Sequence, residues 1–416
     1  MPKSKKILLI AGNYFPELTG IGRYNTEMID WLADNGFKCT VISTYPYYPH
    51  WKIQPPYNKK KLLFTKEEKL TSNNNKVTIY RCPHYVPANP TGKKRILFDI
   101  SFFTATALKL VSLAGKKYDY IINVTPPLTL GFIAALYKKI SSAVFLYHIQ
   151  DLQVDLARDL NMISSKKVIN LLLKLEGYIL KHADQISTIS QCMLKKVLVK
   201  TNKHVFLFPN WTNTTTFYPL EDKDYLKSSF GFKQNEPVVL YSGAIGEKQR
   251  LEDILHVAKI FQDEKSSIQF VICGSSPYKS VLSKKAAGLK LNNITFMPLQ
   301  PNEKLNAFLN MADVHLVIQR ASAADLVMPS KLNNILSVGG LAIVTANKGS
   351  GLYETIETHK MGILCKAEDI QSLKKSIEQS IKCDNNELKT NARNYAENYL
   401  SIDKIMNRYV TDVMNI

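Results

Sequence analysis

Three features that would place this chain in other classes of protein are missing from its sequence. No apolar run reaches the roughly 18 residues of a membrane-spanning helix, and the closest segment, 96–114, contains Asp99 and Lys109. The six cysteines have neither metal-ligand nor redox spacing, which predicts reduced packing residues in a cytoplasmic protein. The D-x-D sequence of Asp222 and Asp224 lies in a polar linker-like segment, so no metal site is expected.

Acidic side chains are also scarce, with 35 Asp and Glu against 54 Lys and Arg, for a formal net charge of +19. Such an excess favours anionic partners, namely nucleic acid, acidic lipid or phosphorylated substrates, unless the lysines serve only solubility. A nucleic-acid-binding protein is one alternative, but it would cluster its cations on one element beside exposed aromatic residues. The lysines here are scattered, so we expect no nucleic-acid partner.

The 416 residues exceed what one core usually accommodates, which favours two domains. Short β-branched runs alternate with longer amphipathic segments, a pattern typical of parallel sheets covered by helices. The predicted strands are 6–11, 39–43, 77–81, 120–124 and 143–148, then 238–243, 268–274, 294–298, 314–318 and 341–345. We predict two Rossmann-like, doubly wound α/β domains over 1–212 and 213–390, followed by a helix over 391–416.

Ligands of such sheets bind in the loops that follow the strands, and two of these loops have the form of a phosphate-binding cradle. Gly20 and Gly22 precede a predicted helix, where backbone N–H groups and the helix N-terminus favour an anion. Ser330 is predicted to cap another helix, with Lys331 next to it. Each feature alone is also compatible with an ordinary turn or helix cap.

A third cradle follows the first strand of the second half. Gly243 and Gly246 again precede a predicted helix, with Lys248 and Arg250 at its entrance. A diphosphate at this place would meet backbone donors, a helix dipole and a flexible ammonium together. Three cradles after strands are harder to attribute to chance than one, although a surface lysine is the ordinary alternative for Lys248.

The loop after strand 143–148 contains His148, Asp151 and Asp155. These side chains are candidates for acceptor orientation or proton transfer, with a purely structural hydrogen-bonding role as the alternative. The aromatic side chains of Tyr48 and Trp51 either stack on an acceptor sugar or pack against their own loop. A nucleotide-sugar epimerase of the same fold is a further alternative, but it would need a clear set of paired acid and base groups.

At these loops the sequence resembles the family-four retaining glycosyltransferases, which have the GT-B fold of two Rossmann-like domains facing across a cleft. Within that family it is similar to a subgroup associated with colanic acid synthesis and fucosyl transfer. The matching segments span nearly the whole chain and include FPELTGIGRY, STYPYYPHW, HIQDLQVD, FPNW, YSGAIGEKQRLEDIL and ADLVMPSKLNNIL. The resemblance implies that the C-terminal half binds the nucleotide sugar, the N-terminal half binds the acceptor, and the last helix returns to the first domain.

The loops and the resemblance together nominate a set of site residues. The catalytic candidates are Lys248, Lys331, His148 and Asp151; the donor-binding candidates are Gly20, Gly22, Gly243, Gly246, Arg250, Gly274, Ser330 and Asn334; and the acceptor-binding candidates are Arg23, Tyr24, Tyr48 and Trp51. Ala244, Arg250 and Asn334 depart from the usual residues of the larger family, which leaves the nucleotide base and the sugar open.

The resemblance implies a GDP- or UDP-linked donor sugar, without a metal or other cofactor, and a polyprenyl-diphosphate-linked glycan or saccharide acceptor in cell-surface polysaccharide synthesis. A lipid-linked acceptor would place the protein peripherally at the inner face of the membrane. The segment 164–184 has a basic amphipathic pattern that suits an anionic lipid surface. A core helix with one wet face has the same period and is the alternative.

Overall fold

The computed structural model of the protein describes residues 4–415, except for 18–19, 91, 160–162, 164, 247–248, 277 and 321–328. The backbone divides into two compact units. The first runs to Phe208 and takes up the chain again at Arg408, and the second extends from Pro209 to Asn407. Each unit is built on its own predominantly parallel sheet, which confirms the predicted α/β class with two Rossmann-like domains.

The first unit surrounds a sheet of strand order β3-β4-β2-β1-β5-β6-β7-β8. Its strands are β1 (Lys6–Ala11), β2 (Lys38–Thr44), β3 (Thr65–Leu70), β4 (Lys76–Cys82), β5 (Tyr120–Thr125), β6 (Val144–Ile149), β7 (Gln185–Thr188) and β8 (Val205–Leu207). Its helices are α1 (Ile21–Asp34), α2 (Gly92–Ser112), α3 (Leu128–Ser141), α4 (Gln153–Asp159), α5 (Lys166–His182) and α6 (Gln191–Leu198). Every neighbouring pair of strands in this sheet is parallel except the pair of β3 and β4. The loops after β1, β2, β5 and β6 therefore emerge at one edge of the sheet.

The second unit has the strand order β11-β10-β9-β12-β13-β14, in which neighbouring strands are parallel. Its strands are β9 (Val238–Ser242), β10 (Gln269–Cys273), β11 (Ile294–Met297), β12 (Val314–Val317), β13 (Ala342–Thr345) and β14 (Ile363–Cys365). Its helices are α7 (Lys223–Ser229), α8 (Glu252–Asp263), α9 (Tyr278–Gly288), α10 (Asn302–Asn310), α11 (Ser330–Ser337), α12 (Gly351–His359), α13 (Ile370–Lys382), α14 (Asn386–Tyr395) and α15 (Ile402–Arg408). The loops after β9 and β10 therefore share an edge with the loop that leads into α11.

Strands with a continuous apolar run were predicted within a residue or two, because burial on both faces requires such a run. The pattern did not predict β3, β7, β8 and β14. The sequence of β3, TKEEKL, alternates exposed and half-buried positions without an apolar face, and the other three are too short for a periodicity to show. β3 is also the antiparallel edge strand of its sheet, where charged side chains are tolerated.

The chain passes between the units at two places that differ from the predicted boundaries of 212 and 391. Thr212 already belongs to the second unit, since its N–H donates to the Leu400 carbonyl at 2.8 Å. Helix α14 packs against α11, so the predicted return of 391–416 begins only at Arg408. From there the Tyr409 ring stacks on Phe208 and the Met414 carbonyl accepts from the Tyr120 hydroxyl.

The segment predicted as a basic amphipathic helix forms α5, and its apolar stripe faces the core of the first unit. Ile179 and Leu180 are buried, and Leu172 and Leu175 pack against the same cluster. The structure thus favours the core-helix alternative for this segment over the lipid-facing one. Within the described ranges, no helix combines the length and apolar composition needed to cross a bilayer.

A buried arginine joins the edge of this sheet to the loops after β1 and β2. The Arg81 side chain is fully buried and pairs with Glu67 of β3. Its guanidinium also donates to the carbonyl oxygens of Phe15 at 2.5 Å and Thr44 at 3.1 Å. A planar group with five donors can satisfy all these acceptors at once, so Arg81 fixes both loops relative to the sheet.

We expect Arg81→Met to lower the free energy of unfolding of the first unit by about 3 kcal/mol, because removing one partner of a buried pair leaves its acceptors unsatisfied. The matched control is Lys76→Met, since Lys76 pairs with Glu68 on the same hairpin but in solvent, and should cost less than about 1 kcal/mol. Urea denaturation in a Trp211→Phe background measures both, because the remaining tryptophans, Trp31 and Trp51, lie in the first unit. Equal costs would show that Arg81 contributes no more than a surface pair.

Candidate functional site

Two loops of the second unit meet closely at the ends of β9 and β10. The Gly243 N–H donates to the Cys273 carbonyl at 3.0 Å. A Cβ atom on Gly274 would overlap the carbonyl oxygen of Gly243, so only glycine permits this approach. The predicted donor-binding residues Gly243 and Gly274 are therefore adjacent.

The side chain of Lys331 reaches this junction from the first turn of α11. A Cβ atom on Gly243 would lie 3.2 Å from Lys331 Cδ, and Lys331 Nζ stands 3.6 Å from the centroid of the Tyr241 ring. The ammonium also donates to the Leu316 carbonyl at 3.3 Å. The aromatic ring and the carbonyl together hold the cation beside the glycine loops.

The surroundings of Lys331 disfavour its charged form. In the part of the chain that the structure describes, no carboxylate forms an ion pair with it. Desolvation lowers its pKa from the usual value of 10.5 to about 7. A cation in this state gains more from an arriving anion than a solvated surface lysine would.

The structure changes the predicted role of Ser330 in α11, whereas the donor-binding role of Asn334 stays a prediction. Ser330 does not cap the helix, because Pro329 occupies the N-cap in an extended conformation and Ser330 is already the first helical residue. Its exposed hydroxyl is one residue too late to accept from the first-turn amides in the manner of a cap. The Asn334 side-chain oxygen accepts from the Thr212 hydroxyl at 2.9 Å.

The loop after β9 also differs from its prediction. Helix α8 begins at Glu252 with Leu251 as N-cap, so Gly246 lies in a turn, where its carbonyl accepts from Gln249. Lys248 lies outside the described residues. Arg250 has a φ of 50° and pairs with Asp253 and Glu368 at 3.0 and 3.1 Å, so this cation is already neutralised.

In the first unit, Gly20 is the N-cap of α1 with a φ of 55°, as a strand-to-helix turn requires. Gly22 lies inside the first turn rather than in the loop, and a Cβ atom there would come 2.7 Å from the Glu17 carbonyl oxygen. Arg23 pairs with Glu27 one turn later at 2.8 Å. Tyr24 is only 6% exposed, because it lies on the core-facing side of α1.

His148 ends β6 and is buried between two polar neighbours. Its Nδ1 lies 3.0 Å from the Ser187 hydroxyl and its Nε2 lies 3.0 Å from Gln150 Nε2. Burial lowers the pKa of His148 to about 3, so the ring is neutral at physiological pH. Asp151 follows in the loop and is half-buried. Asp155 belongs to α4, where it pairs with Lys200 and Arg158, a structural role.

Comparison with known proteins decides the family. Residues 19–211 match the family model of the glycosyl transferase 4-like domain, and residues 222–399 match that of the glycosyl transferases of group 1. The chain is also 37% identical to a protein of Escherichia coli (strain K12), provisionally named the colanic acid biosynthesis glycosyl transferase WcaI, over 98% of this chain and 99% of that protein.

The chain belongs to the glycosyl transferases of group 1. Its fold is similar to those of solved glycosyltransferases of the GT-B type. Sucrose-phosphate synthase from Thermosynechococcus elongatus superimposes with a TM-score of 0.73 at 17% identity, covering 99% of this chain and 98% of that one. Anabaena Alr3699/HepE, solved in complex with UDP, has a TM-score of 0.72 at 13% identity and covers 99% of this chain and all of its own.

Sequence reasoning missed a carboxylate that organises the loop after β2 in the first unit of this glycosyltransferase. Glu17 is 5% exposed, and its Oε1 accepts the backbone N–H groups of Tyr47 and Tyr48 at 2.6 and 2.7 Å. Its Oε2 accepts from Asn13 Nδ2 at 2.8 Å. Burial raises the pKa of Glu17, and these hydrogen bonds oppose the rise. No residue pattern marked Glu17, because its partners are backbone amides about 30 residues away.

The two predicted acceptor-stacking side chains have different surroundings. The Trp51 ring packs with Tyr47 and Phe98 at centroid distances of 5.3 and 6.0 Å, and the Arg95 guanidinium lies over it. Its packing within its own loop, the alternative considered above, is thus observed. Tyr48 is 44% exposed and remains accessible to a ligand.

The structure shows no arrangement suited to a metal ion. Among the residues that it describes, no three His, Cys, Asp or Glu side chains come together as such a site would require. Asp222 caps α7 by accepting from the Tyr225 N–H at 3.0 Å. The D-x-D sequence therefore contributes a helix cap in this glycosyltransferase.

We expect Glu17→Ala to raise amide hydrogen exchange at Tyr47 and Tyr48 by at least about tenfold, because a charged acceptor contributes roughly 1.5–3 kcal/mol per hydrogen bond. The matched control is Glu27→Ala, which removes a carboxylate from α1 that contacts Arg23 instead of this loop. Exchange mass spectrometry of peptides spanning 45–52 provides the measurement. Unchanged exchange in the Glu17 variant would mean that the loop is held by its aromatic packing alone.

Proposed function

We propose that this glycosyltransferase transfers a sugar, with fucose among the candidates, from a GDP- or UDP-linked donor with retention of configuration. The acceptor is a lipid-linked or free saccharide in cell-surface polysaccharide synthesis. The provisional assignment of WcaI to colanic acid biosynthesis supports this process. The structures of Alr3699/HepE in complex with UDP and with UDP-glucose support a nucleotide-sugar donor.

The observation that carries the proposal is Lys331 beside the junction of Gly243 and Gly274, with no ion pair to any carboxylate that the structure describes. As the bond from sugar to diphosphate breaks, negative charge develops on the departing phosphate. A preorganised ammonium and nearby backbone N–H groups stabilise that charge more than they stabilise the bound donor. Lys248, in the same loop sequence, is proposed as a second donor of positive charge.

In the first unit, His148 is proposed to position the loop after β6, because Ser187 and Gln150 engage both of its ring nitrogens. Its low pKa makes it a poor proton carrier at neutral pH. Asp151 is proposed to orient the acceptor. Tyr48 is the accessible aromatic side chain for stacking on an acceptor sugar.

We propose that the reaction needs no metal, because lysines would balance the leaving diphosphate where other transferases use a divalent cation. The acceptor is a polyprenyl-diphosphate-linked glycan, which places the enzyme at the cytoplasmic face of an anionic membrane. Most of the large exposed apolar side chains are aliphatic, with few aromatic rings among them, which does not favour nucleic acid as a partner.

We expect Lys331→Ala and Lys248→Ala each to lower kcat by about 100-fold, the usual effect of removing one preorganised charge stabiliser. Lys259→Ala is the matched control, because Lys259 lies on α8 and pairs with Asp263 at the surface. A radiolabelled-donor assay, run with and without excess chelator, measures turnover. Unchanged kcat in a variant would exclude that lysine from the reaction, and a loss of wild-type activity with chelator that Mg²⁺ restores would overturn the metal-free proposal.

We also expect binding of UDP or GDP to be coupled to protonation of Lys331. With a pKa of about 7 in the free protein, the amine is mostly neutral at pH 8, and an adjacent diphosphate raises that pKa. Affinity should therefore fall up to about tenfold per pH unit between roughly pH 7.5 and 9, with up to one proton taken up per nucleotide.

Isothermal titration calorimetry in buffers of different ionisation enthalpy measures that proton uptake. Lys331→Met should bind more weakly and lose the uptake, whereas Lys259→Met should retain both. Tight nucleotide binding without proton uptake in the wild type would place the diphosphate away from Lys331.

A further inference from the structure

Two segments of the first unit repeat the same order of residues. Residues 59–64 read Lys-Lys-Lys-Leu-Leu-Phe, and residues 93–98 read Lys-Lys-Arg-Ile-Leu-Phe. In each, three cations precede two aliphatic residues and a phenylalanine. The lysines of this chain are therefore clustered at these places, contrary to the scattered distribution inferred from the whole sequence.

The aliphatic side chains of both segments project into solvent. Leu62 is 79% exposed and Ile96 is 56% exposed, and Leu63, Leu97 and Ile100 are exposed as well. Single exposed apolar residues are common on soluble proteins, whereas contiguous groups mark interaction surfaces.

Both segments adjoin one small aromatic cluster. The Leu63 carbonyl accepts from the Tyr45 hydroxyl at 2.9 Å. Tyr45 belongs to the same cluster as Phe98 of α2. We call residues 59–64 together with 94–97 and Ile100 the basic–apolar surface.

The charge on this surface is positive and largely unopposed. Lys59, Lys60, Lys61 and Lys94 are exposed and form no ion pair with any residue that the structure describes. No acidic residue occurs between 57 and 64. Asp99 on α2 is partly buried, and burial raises its pKa to about 6 while the nearby Arg95 opposes the rise. It therefore remains mostly ionised at neutral pH, as one negative charge against the four lysines.

We propose that the basic–apolar surface docks the protein on an anionic lipid bilayer, with the lysines on the headgroups and the aliphatic side chains at the acyl boundary. Nucleic acid would pair these cations with a series of aromatic platforms. This surface instead presents Leu62, Leu63, Ile96 and Leu97 with the single exposed ring of Phe64, a composition that suits lipid. The inference deepens the proposed function, since it rests on the lipid-linked acceptor for its purpose. Tyr48, the accessible acceptor candidate, directly follows Tyr47 of the adjoining cluster.

Co-sedimentation with phosphatidylcholine vesicles, with and without phosphatidylglycerol and at low and high salt, tests this surface. The wild type should bind the anionic vesicles, more weakly at high salt. The triple variant Lys59→Gln/Lys60→Gln/Lys61→Gln should bind about 100-fold more weakly, because each cation near an anionic surface contributes about fivefold. The variant Leu62→Ser/Leu63→Ser/Ile96→Ser should lose the binding that persists at high salt.

The matched control is Lys166→Gln/Lys167→Gln/Lys174→Gln on α5, which removes the same charge from exposed positions of the helix that sequence patterning favoured. Its affinity should stay within about fivefold of the wild type. Equal losses of vesicle affinity in the two lysine variants would show that only the net charge matters, and would overturn the proposal. Equal binding of the wild type to both kinds of vesicle would overturn the proposal too. So would binding to duplex DNA that is as strong as vesicle binding and that the serine variant leaves unchanged.

Nucleotide titration of the same variants separates this inference from the proposed function. Because none of the altered residues belongs to the donor cradle, UDP or GDP affinity should equal that of the wild type. Vesicle binding without any nucleotide binding would support membrane docking through the basic–apolar surface and refute the proposed nucleotide-sugar donor. Nucleotide binding without vesicle binding would refute membrane docking through this surface and leave the proposed transferase function standing.

Discussion

The candidate site in the second unit of this glycosyltransferase depends on the placement of Lys331 between an aromatic ring and two glycine loops. Tyr241 offers the ammonium a π face but no charge, and Gly243 and Gly274 leave room only for backbone next to it. The fold therefore pays a desolvation cost that the lowered pKa expresses. In the proposed function an arriving diphosphate would offset that cost, and binding and the later stabilisation of the leaving group would use the same charge.

In the first unit, two buried charged side chains hold the segments that follow β1 and β2. The buried Glu17 carboxylate gathers the amides of Tyr47 and Tyr48, while Arg81 gathers the carbonyls of Phe15 and Thr44. Glu17 therefore accepts from backbone N–H groups, and Arg81 donates to backbone carbonyl groups, of the segments that follow β1 and β2. Buried backbone groups that lack a regular partner need such side chains, so the loops after β1 and β2 are held without secondary structure of their own.

The parts of this molecule that sequence could predict are those governed by local periodicity. Buried parallel strands require apolar runs, so the two-sheet architecture and the loops that follow the strands could be predicted. The family resemblance nominated Lys331 as a donor contact, which stays a prediction. Long-range pairing left no local mark, which is why Glu17 was missed. Ser330 was misassigned as a cap because Pro329 holds the extended N-cap position one residue earlier. The lipid-facing interpretation of α5 failed because core and interfacial helices share one period.

The net charge of +19 can be interpreted only after the cations paired with carboxylates are separated from those without a described partner. Lys200 shares Asp155 and Glu176, and Lys223 and Lys227 share Asp313, so these cations serve the folding of their units. Of the cations without a described carboxylate partner, Lys331 is desolvated and the group at 59–61 is fully hydrated. A desolvated cation favours one well-placed anion at short range, whereas hydrated cations favour a diffuse anionic plane. The same excess of lysine can therefore serve a diphosphate in one unit and a lipid surface in the other.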